Sequence, residues 1–278
     1  MLKRILGAAL GLALAGAAQA QEAPQRPAPD LEMWRLDCGE IHVSNLDVFS
    51  DAFLYEGQQK TLTDSCYLIR NGNRYLLWDT GLTADAIRQP VEQGPFRMTL
   101  RTRITDQLRQ INVRPEQVNF IGISHYHGDH TGQAADFPGA TLLIGPEDME
   151  FLRNWPDGAA RFTRWISGGG TVETVAGDRD VFGDGSVVML GMPGHTDGHH
   201  SLLVRLPQQG AVLLTGDLYH FTEQVRNAGV PSFNADRADT IASFARFQAI
   251  ARSLDARIII QHEANDIGRL PAFPESAR

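Results

Sequence analysis

The stretch Ser-His-Tyr-His-Gly-Asp-His at residues 124–130 directly follows the apolar run Phe120–Ile123, and it holds three of the nine histidines. In an extended backbone alternate side chains lie on one side, so His125 and His127 can bind one ion. Gly128 permits a turn that directs Asp129 and His130 toward a neighbouring position. This loop therefore predicts ligands for two metal ions.

Further ligand-type residues follow three later apolar runs. They are His195 after Val187–Gly191, Asp217 after Ala211–Leu214, and His262 after Ile258–Ile260. Open α/β sheets present functional groups at the carboxyl ends of their strands, so these residues are expected to converge. Imidazole nitrogens and carboxylate oxygens suit Zn²⁺ with a position left for water, although Fe, Mn or Co could use the same ligands.

Apolar runs alternate with helical patterns along the rest of the chain, which predicts a layered α/β domain. The sequence Asn71-Gly72-Asn73 predicts a hairpin. Helices are expected over Thr102–Ile111 and Ala238–Leu254, the second capped by Asp236 or Asp239. The expected strands are Met33–Leu36, Cys66–Arg70, Tyr75–Asp79, Phe120–Ser124, Thr141–Ile144, Val187–Gly191, Ser201–Leu206, Ala211–Thr215 and Arg257–Gln261.

Composition limits the partners and the location of the protein. The 278 residues include 25 Lys and Arg against 33 Asp and Glu, a net charge of −8, which argues against nucleic acid and favours a small-molecule substrate. Residues 1–20 have a basic start, an apolar run and an Ala-Gln-Ala cleavage site, as in a secretory signal peptide. Residues 21–30 form a Pro-rich tether, and residues 31–278 form the folded domain. No later run is long enough to span a membrane, so a periplasmic or secreted protein is expected.

The chain has two cysteines, Cys38 and Cys66, each inside an apolar run. In an oxidising compartment they can form a disulfide between adjacent strands, whereas two buried free thiols are the alternative. The sequence leaves this choice open. Two cysteines are too few for a Cys-rich zinc site.

The complete pattern, His-x-His-x-Asp-His at 125–130 followed by His195, Asp217 and His262, resembles the metallo-β-lactamase superfamily. The resemblance implies a four-layer αβ/βα sandwich with two metal ions. One ion would be held by His125, His127 and His195, the other by Asp129, His130 and His262, and Asp217 would bridge them. It also implies that Asp79 orients the ligand loop from behind and that His199 is structural rather than ligating.

Within that superfamily the sequence resembles the N-acyl homoserine lactone lactonases, which keep all seven ligands. The likeness extends to Leu36-Asp37-Cys38-Gly39 and to Ser65-Cys66-Tyr67-Leu68-Ile69. It implies a dinuclear zinc hydrolase that opens the lactone ring by attack of a hydroxide between the ions, with Asp129 as proton shuttle, and the signal-peptide pattern implies that this enzyme is exported. The alternatives are an esterase or phosphotriesterase of the same fold and a periplasmic metal-binding protein without catalysis. A homodimer also stays open.

Substrate contacts are harder to assign. The lactonases place a tyrosine three residues after the bridging aspartate, whereas here Tyr219 is two residues and His220 three residues beyond Asp217. Either side chain could therefore contact the substrate carbonyl. Aromatic residues in segments without strong periodicity are candidates for the wall that holds an acyl chain. They are Phe53, Tyr55, Trp155, Phe162 and Trp165.

Overall fold

The computed structural model describes residues 30–278, so the expected signal peptide and all but the last residue of the tether lie outside the described part. Strands from the first half of the chain form one sheet. They are β1 (Leu31–Val43), β2 (Lys60–Asn71), β3 (Arg74–Trp78), β4 (Val91–Gln93), β5 (Phe96–Thr99), β6 (Val118–Gly122), β7 (Thr141–Ile144) and β8 (Val172–Thr174). Their order across the sheet is β4-β5-β1-β2-β3-β6-β7-β8.

A second sheet follows from the later part of the chain. Its strands are β9 (Arg179–Asp180), β10 (Val187–Gly191), β11 (His200–Leu206), β12 (Gly210–Leu214) and β13 (Arg257–Ile259). They lie in the order β13-β12-β11-β10-β9, with β12 and β13 parallel and the other neighbours antiparallel.

The helices lie between these strands along the chain. They are α1 (Ile104–Gln110), α2 (Gly128–Thr131), α3 (Pro146–Asn154), α4 (Pro156–Arg161), α5 (Thr163–Ile166), α6 (Thr222–Asn227) and α7 (Arg237–Leu254). The Asp236 side chain accepts a hydrogen bond from Asp239 N, so Asp236 is the N-cap of α7. In residues 30–278 no helix has both the length and the apolar character needed to cross a bilayer.

Side chains along the central strands point alternately to the two faces of the sheet, and this explains the four layers. In β3, Leu76 and Trp78 point into the core between the two sheets, whereas Leu77 points to the opposite face. There it packs in a second core with helical residues such as Leu108 and Leu152. On the far side of the second sheet, a third core includes Phe247 of α7. The expected αβ/βα sandwich is therefore confirmed.

The predicted hairpin is also present. Strands β2 and β3 pair antiparallel, Asn71 pairs with Arg74, and Gly72 in the turn has a φ of +60°. Further along β2, Cys66 forms a disulfide with Cys38 of β1, which settles the alternative that the sequence left open. The disulfide joins two strands that are already hydrogen-bonded neighbours.

Candidate metal centre and pocket

The seven expected ligands converge at one edge of the two sheets. The loop that begins after β6 supplies His125 and His127, and the short helix α2 supplies Asp129 and His130. The other three ligands follow β10, β12 and β13. The distribution over both sheets means that neither sheet alone can complete the site, which depends on their packing.

The first group of ligands consists of His125, His127, His195 and Asp217, whose ligand atoms lie within 4.8 Å of one another. His195 Nε2 lies 3.1 Å from His125 Nε2 and 3.0 Å from His127 Nδ1. The second group consists of Asp129, His130 and His262, with the two Nε2 atoms of the histidines 3.2 Å apart.

Asp217 faces both groups at once. Its Oδ1 lies 3.1 Å from His130 Nε2 and 3.0 Å from His262 Nε2. Its Oδ2 lies 3.5 Å from His125 Nε2 and 3.4 Å from His195 Nε2. One oxygen toward each group is the arrangement required of a carboxylate that bridges two cations.

Most of these histidines are held from behind by a hydrogen bond to the other ring nitrogen. His262 Nδ1 lies 2.7 Å from the carbonyl oxygen of Thr63, and His195 Nδ1 lies 2.9 Å from Asn234 Oδ1. The Asn234 amide is oriented because its Nδ2 donates to Thr240 Oγ1. A proton held on Nδ1 leaves the lone pair of Nε2 directed into the site.

Asp79 performs this task for the ligand loop. Its Oδ2 lies 2.9 Å from His130 Nδ1, and its Oδ1 accepts a hydrogen bond from Ser124 N. Asp79 is fully buried and has a φ of +58°, an unusual conformation for a residue with a side chain. Asp79 therefore lies behind His130, on the Nδ1 side of the ring.

Gln261 lies beneath both metal groups and uses all four of its amide hydrogen-bonding positions. Its Oε1 accepts from Trp78 Nε1 and Gly216 N, and its Nε2 donates to Ser65 O and Asp79 Oδ2. These partners belong to segments of both sheets. In the sequence, the one feature that points to Gln261 is its place directly before the ligand His262.

His199 supports the bridging residue from the other side. Its Nδ1 lies 2.9 Å from Met192 O, and its Nε2 accepts a hydrogen bond from Asp217 N. Burial lowers the pKa of His199 to about 3, so the ring stays neutral and keeps the Nε2 lone pair for this bond. Gly216 must be a glycine because its φ is +57° and a Cβ there would lie 2.6 Å from His199 Nε2.

Three observations show that the donor set fits a pair of cations. Asp217 Oδ1 is buried and accepts no hydrogen bond. The Nε2 atoms of His125 and His195 lie 3.1 Å apart, close enough for both to be ligands of one cation. The ligands are imidazoles and carboxylates, which Zn²⁺ and related ions prefer.

The electrostatics agree with this fit. Burial lowers the pKa of His125 and of His195 well below the usual range, which gives the neutral form that binds metal. Burial also acts against a charge on His262, but Asp217 raises the pKa of that ring to about 9. Conversely, burial alone would raise the pKa of Asp217, yet the surrounding histidines, His130 first, hold it well below its usual value. Asp217 is thus ionised and attracts cations.

A pocket of about 870 Å³ opens over the metal centre. One side is mainly hydrocarbon and includes Ile41, Leu62, Phe96 and Met98. The floor consists of ligands and of His220. Four planar side chains also line the pocket, which are Tyr126, Phe151, Trp155 and Arg161.

Of the five aromatic residues expected at the pocket, the structure brings only Trp155 there. Phe162 and Trp165 are buried in the core between the first sheet and its helices, where Trp165 Nε1 donates to Ala140 O. Tyr55 is buried against Phe221. Phe53 is 79% exposed on a loop outside the pocket. We therefore withdraw these four positions as substrate contacts.

Tyr219 and His220 point in different directions because they are neighbours in an extended segment. Tyr219 stacks on Phe244 of α7 with ring centroids 4.5 Å apart, and it does not line the pocket. His220 lines the pocket, with Nε2 3.1 Å from Asp217 Oδ2. Gln224 Oε1 accepts a hydrogen bond from His220 N and lies 3.3 Å from Nδ1, so it holds the ring in place. The expectation that Tyr219 contacts the substrate is corrected accordingly.

Comparisons with known proteins agree with this architecture. The family model described as "Metallo-beta-lactamase superfamily" matches residues 61–262. The chain is 30% identical over 185 residues to the N-acyl homoserine lactonase AttM of Rhizobium radiobacter, covering 61% of this chain and 67% of the relative. It is 26% identical to an N-acyl homoserine lactonase of Bacillus sp., covering 80% of this chain and 90% of that protein.

Solved structures show the same fold. A quorum-quenching N-acyl homoserine lactone hydrolase superposes with a TM-score of 0.76 at 23% identity, covering 88% of this chain and 97% of that one. AidC, a dizinc quorum-quenching lactonase, has a TM-score of 0.67 at 18% identity, covering 89% and 90% of the two chains. The residues that the family model matches, 61–262, include all seven ligands described above. The chain therefore belongs to the metallo-beta-lactamase superfamily, and N-acyl homoserine lactonases are among its homologues.

Proposed function

We propose that this protein opens the lactone ring of N-acyl homoserine lactones at a dinuclear zinc centre and so acts in quorum quenching. The observation that carries the proposal is Asp217, which directs one oxygen to each ligand group at the floor of a largely apolar pocket. The homologues named above are lactonases. Among rival substrates, a lactone with an acyl chain matches both the metal floor and the hydrocarbon side.

The cations would be held by His125, His127 and His195 in one group and by Asp129, His130 and His262 in the other, with Asp217 shared. Two such ions polarise a carbonyl and lower the pKa of a bound water toward neutrality. Zinc suits this nitrogen-rich set, although iron, manganese and cobalt accept the same donors.

The chain's own groups would supply orientation and proton transfer. Asp129 is the one carboxylate ligand with notable solvent access, 20% of its side chain, so it can pass a proton between the pocket floor and solvent. His220 lines the same space, with Nε2 3.1 Å from Asp217 Oδ2, so its ring would lie beside the substrate and limit where the carbonyl group can sit. Phe49 packs against the His220 ring with centroids 4.7 Å apart and limits its movement.

The hydrocarbon side would hold the acyl chain. Ile41, Leu62, Phe96 and Met98 line one continuous surface, and burying a chain methylene there contributes about 0.8 kcal/mol. Phe233, 39% exposed, lies at the same pocket and packs edge-on against His220. A short chain would leave part of this surface in water, so longer acyl chains should bind more tightly.

We also propose that the protein is exported, with residues 1–20 removed as a signal peptide, residues 21–30 acting as a tether and residues 31–278 forming the enzyme. The Cys38–Cys66 disulfide supports this because disulfides persist in oxidising compartments. Intact mass and N-terminal sequencing of protein recovered from a Gram-negative host should show cleavage after Ala20. A chain that retains residue 1 in the periplasm would contradict the proposed cleavage.

The decisive experiment measures metal content and turnover on one preparation. Protein reconstituted with zinc should contain two ions per chain and hydrolyse N-octanoyl homoserine lactone faster than an aryl ester or a phosphotriester of similar size. His127→Ala should lose metal and activity together, whereas His42→Ala, outside the site, should keep both. Two bound ions with no lactone turnover would rule out the proposed substrate, and turnover without metal would rule out the proposed centre.

A further inference from the structure

Four planar side chains that line the pocket form a row in which each contacts the next, here termed the planar row. It consists of Tyr126, Phe151, Trp155 and Arg161. Tyr126 and Phe151 are stacked with centroids 3.8 Å apart, and Phe151 lies 6.0 Å from Trp155. The guanidinium of Arg161 lies over the Trp155 ring, 5.5 Å from its centroid. The planar row therefore ends in a positive charge.

Arg161 is attached to the metal-binding loop itself. Its Nη1 donates to Thr131 Oγ1 at 3.1 Å, and Thr131 Oγ1 donates to the carbonyl oxygen of His127 at 2.9 Å. A Cβ at Gly128 would lie 3.5 Å from the same Nη1. Because Gly128 separates the ligands His127 and Asp129, the guanidinium lies immediately beside the metal floor.

The charge of Arg161 sets it apart from its surroundings. Among the described residues that line the pocket, the carboxylates Asp129 and Asp217 belong to the metal centre, and Arg161 is the sole lysine or arginine. A guanidinium presents several N–H donors in a fixed plane and stays charged at all relevant pH values. Its position over the Trp155 ring helps to hold that plane in place.

We propose that Arg161 is a specificity-determining residue that donates a hydrogen bond to the amide carbonyl oxygen beside the lactone ring. This inference rests on the proposed function. In an N-acyl homoserine lactone the amide is attached to the carbon next to the ester carbonyl. With the ester over the metal floor, the amide one carbon away would lie at the edge of that floor, where Arg161 contacts the ligand loop through Thr131. The same donor offers nothing to a lactone that has only an alkyl chain.

The test compares two substrates that differ in this one group. N-octanoyl homoserine lactone and 2-nonyl-γ-butyrolactone share the ring and the chain length, but only the first has an amide. Zinc-loaded wild type, Arg161→Met and Arg161→Lys are assayed on both. Arg153→Met, an exposed arginine of α3 paired with Glu150, is the matched control. Metal content and thermal unfolding are measured for every variant.

We expect Arg161→Met to lower kcat/KM for the amide substrate about 10- to 100-fold, as for loss of a hydrogen bond from a charged donor, and to leave the alkyl lactone within about threefold. The kcat/KM of Arg161→Lys should lie between those of wild type and Arg161→Met, because lysine keeps the charge but lacks the planar set of N–H donors. Calorimetry provides a readout without turnover: Arg161→Met should weaken binding of the ring-opened N-octanoyl homoserine and leave 2-nonyl-4-hydroxybutanoate unchanged.

An equal loss on both lactones, with or without loss of metal, would show that Arg161 only supports the fold of the loop and would overturn the inference. No loss on either would overturn it as well. Wild-type protein that hydrolyses the alkyl lactone but not the amide substrate would refute the proposed function together with the inference. In contrast, equal effects of Arg161→Met on two good substrates would leave the proposed function intact.

Discussion

The metal centre and the pocket above it share a floor, but different interactions build them. In the metal centre, side chains such as His130 and His195 are fully or almost fully buried and are directed by named hydrogen bonds. On the pocket side, residues such as Phe96 and Met98 are partly exposed and held by apolar packing alone. Directional bonds define positions to a fraction of an ångström, whereas apolar packing tolerates changes of shape. The chemistry should therefore be fixed by the floor and the substrate range by the walls.

The largest expected effect lies in the floor. Asp217→Asn removes a negative charge that faces both ligand groups, so metal binding should fail and kcat/KM should fall about 10⁴-fold. Elemental analysis and lactone turnover would be measured with circular dichroism as a check on folding. Asp255→Asn is a matched control, because that residue is exposed and asparagine tolerates its left-handed φ of +48°. If Asp217→Asn kept two ions and full activity, the floor would not fix the chemistry, and the contrast with the walls would be wrong.

Substitutions of two tryptophans distinguish a residue of the core, Trp165, from a residue of the pocket, Trp155. Trp165→Ala should lower the free energy of unfolding by about 3–5 kcal/mol because it empties a buried site. The half-buried Trp155 lines the pocket, so Trp155→Ala should cost less stability and change kcat/KM more. Urea unfolding and a series of acyl chain lengths measure both. A Trp165→Ala protein of normal stability that discriminates poorly between chain lengths would return Trp165 to the substrate site.

These two tryptophans also show what the sequence could not predict. The ligands were identifiable because histidines and aspartates gathered in one short loop and at three strand ends, where few structural roles need them. Trp155 and Trp165 look alike in sequence, but Trp155 lies between the short helices α3 and α4, whereas Trp165 lies in the short helix α5. The direction of each depends on the packing of α3, α4 and α5 against the first sheet, which no local pattern encodes.

The same reason explains the other differences. The short strands β4 and β5, which carry part of the hydrocarbon surface, have too few residues to show a period and were not predicted. Side chains alternate in the extended segment after Asp217, so a shift of one residue decides whether Tyr219 or His220 faces the pocket. By contrast, long regular elements such as α7 were predicted to within one residue of their observed start.

Asp148 makes the loop that carries His195 sensitive to pH. It is buried and accepts hydrogen bonds from Thr196 Oγ1 and Gly198 N. Burial raises its pKa from 3.8 to about 7, so the folded protein holds a proton that the unfolded chain has released. Stability from this group is present below about pH 4 and is lost as pH rises through 7.

Between pH 5 and pH 8 the wild type should therefore lose about 2–3 kcal/mol relative to Asp148→Asn. Urea unfolding of both proteins at the two pH values measures the difference. A stability gap between the two proteins that is constant over this range would show that Asp148 does not titrate there.

Substitution of Asp79 tests how strongly the hydrogen bonds behind the ligands contribute to metal affinity. Asp79→Asn replaces one acceptor oxygen by a donor beside His130 Nδ1 and should weaken metal affinity about 10- to 100-fold, chiefly for the ion of the second group. Competition with a chromophoric chelator resolves the two ions. Equal weakening of both ions would mean that Asp79 acts on the whole loop rather than through His130.

The smallest effect is expected at the walls. Met98→Ala removes part of the hydrocarbon surface and should lower kcat/KM for a decanoyl substrate by about 4- to 15-fold, the equivalent of one or two methylene contacts. A butanoyl substrate should be unaffected. Steady-state kinetics over chain lengths provides the measurement, and a uniform decrease at all lengths would place Met98 in the support of the floor.

The four hydrogen bonds of Gln261 have a consequence for how such an enzyme can change over time. Because one amide joins Trp78, Gly216, Ser65 and Asp79 beneath the ions, replacing it disturbs several anchors at once, and gradual alteration there is obstructed. Strands β4 and β5 and helices α3 to α5 do not share that amide. New substrate preferences can thus arise by remodelling these peripheral pieces one at a time, while the reaction itself is inherited unchanged.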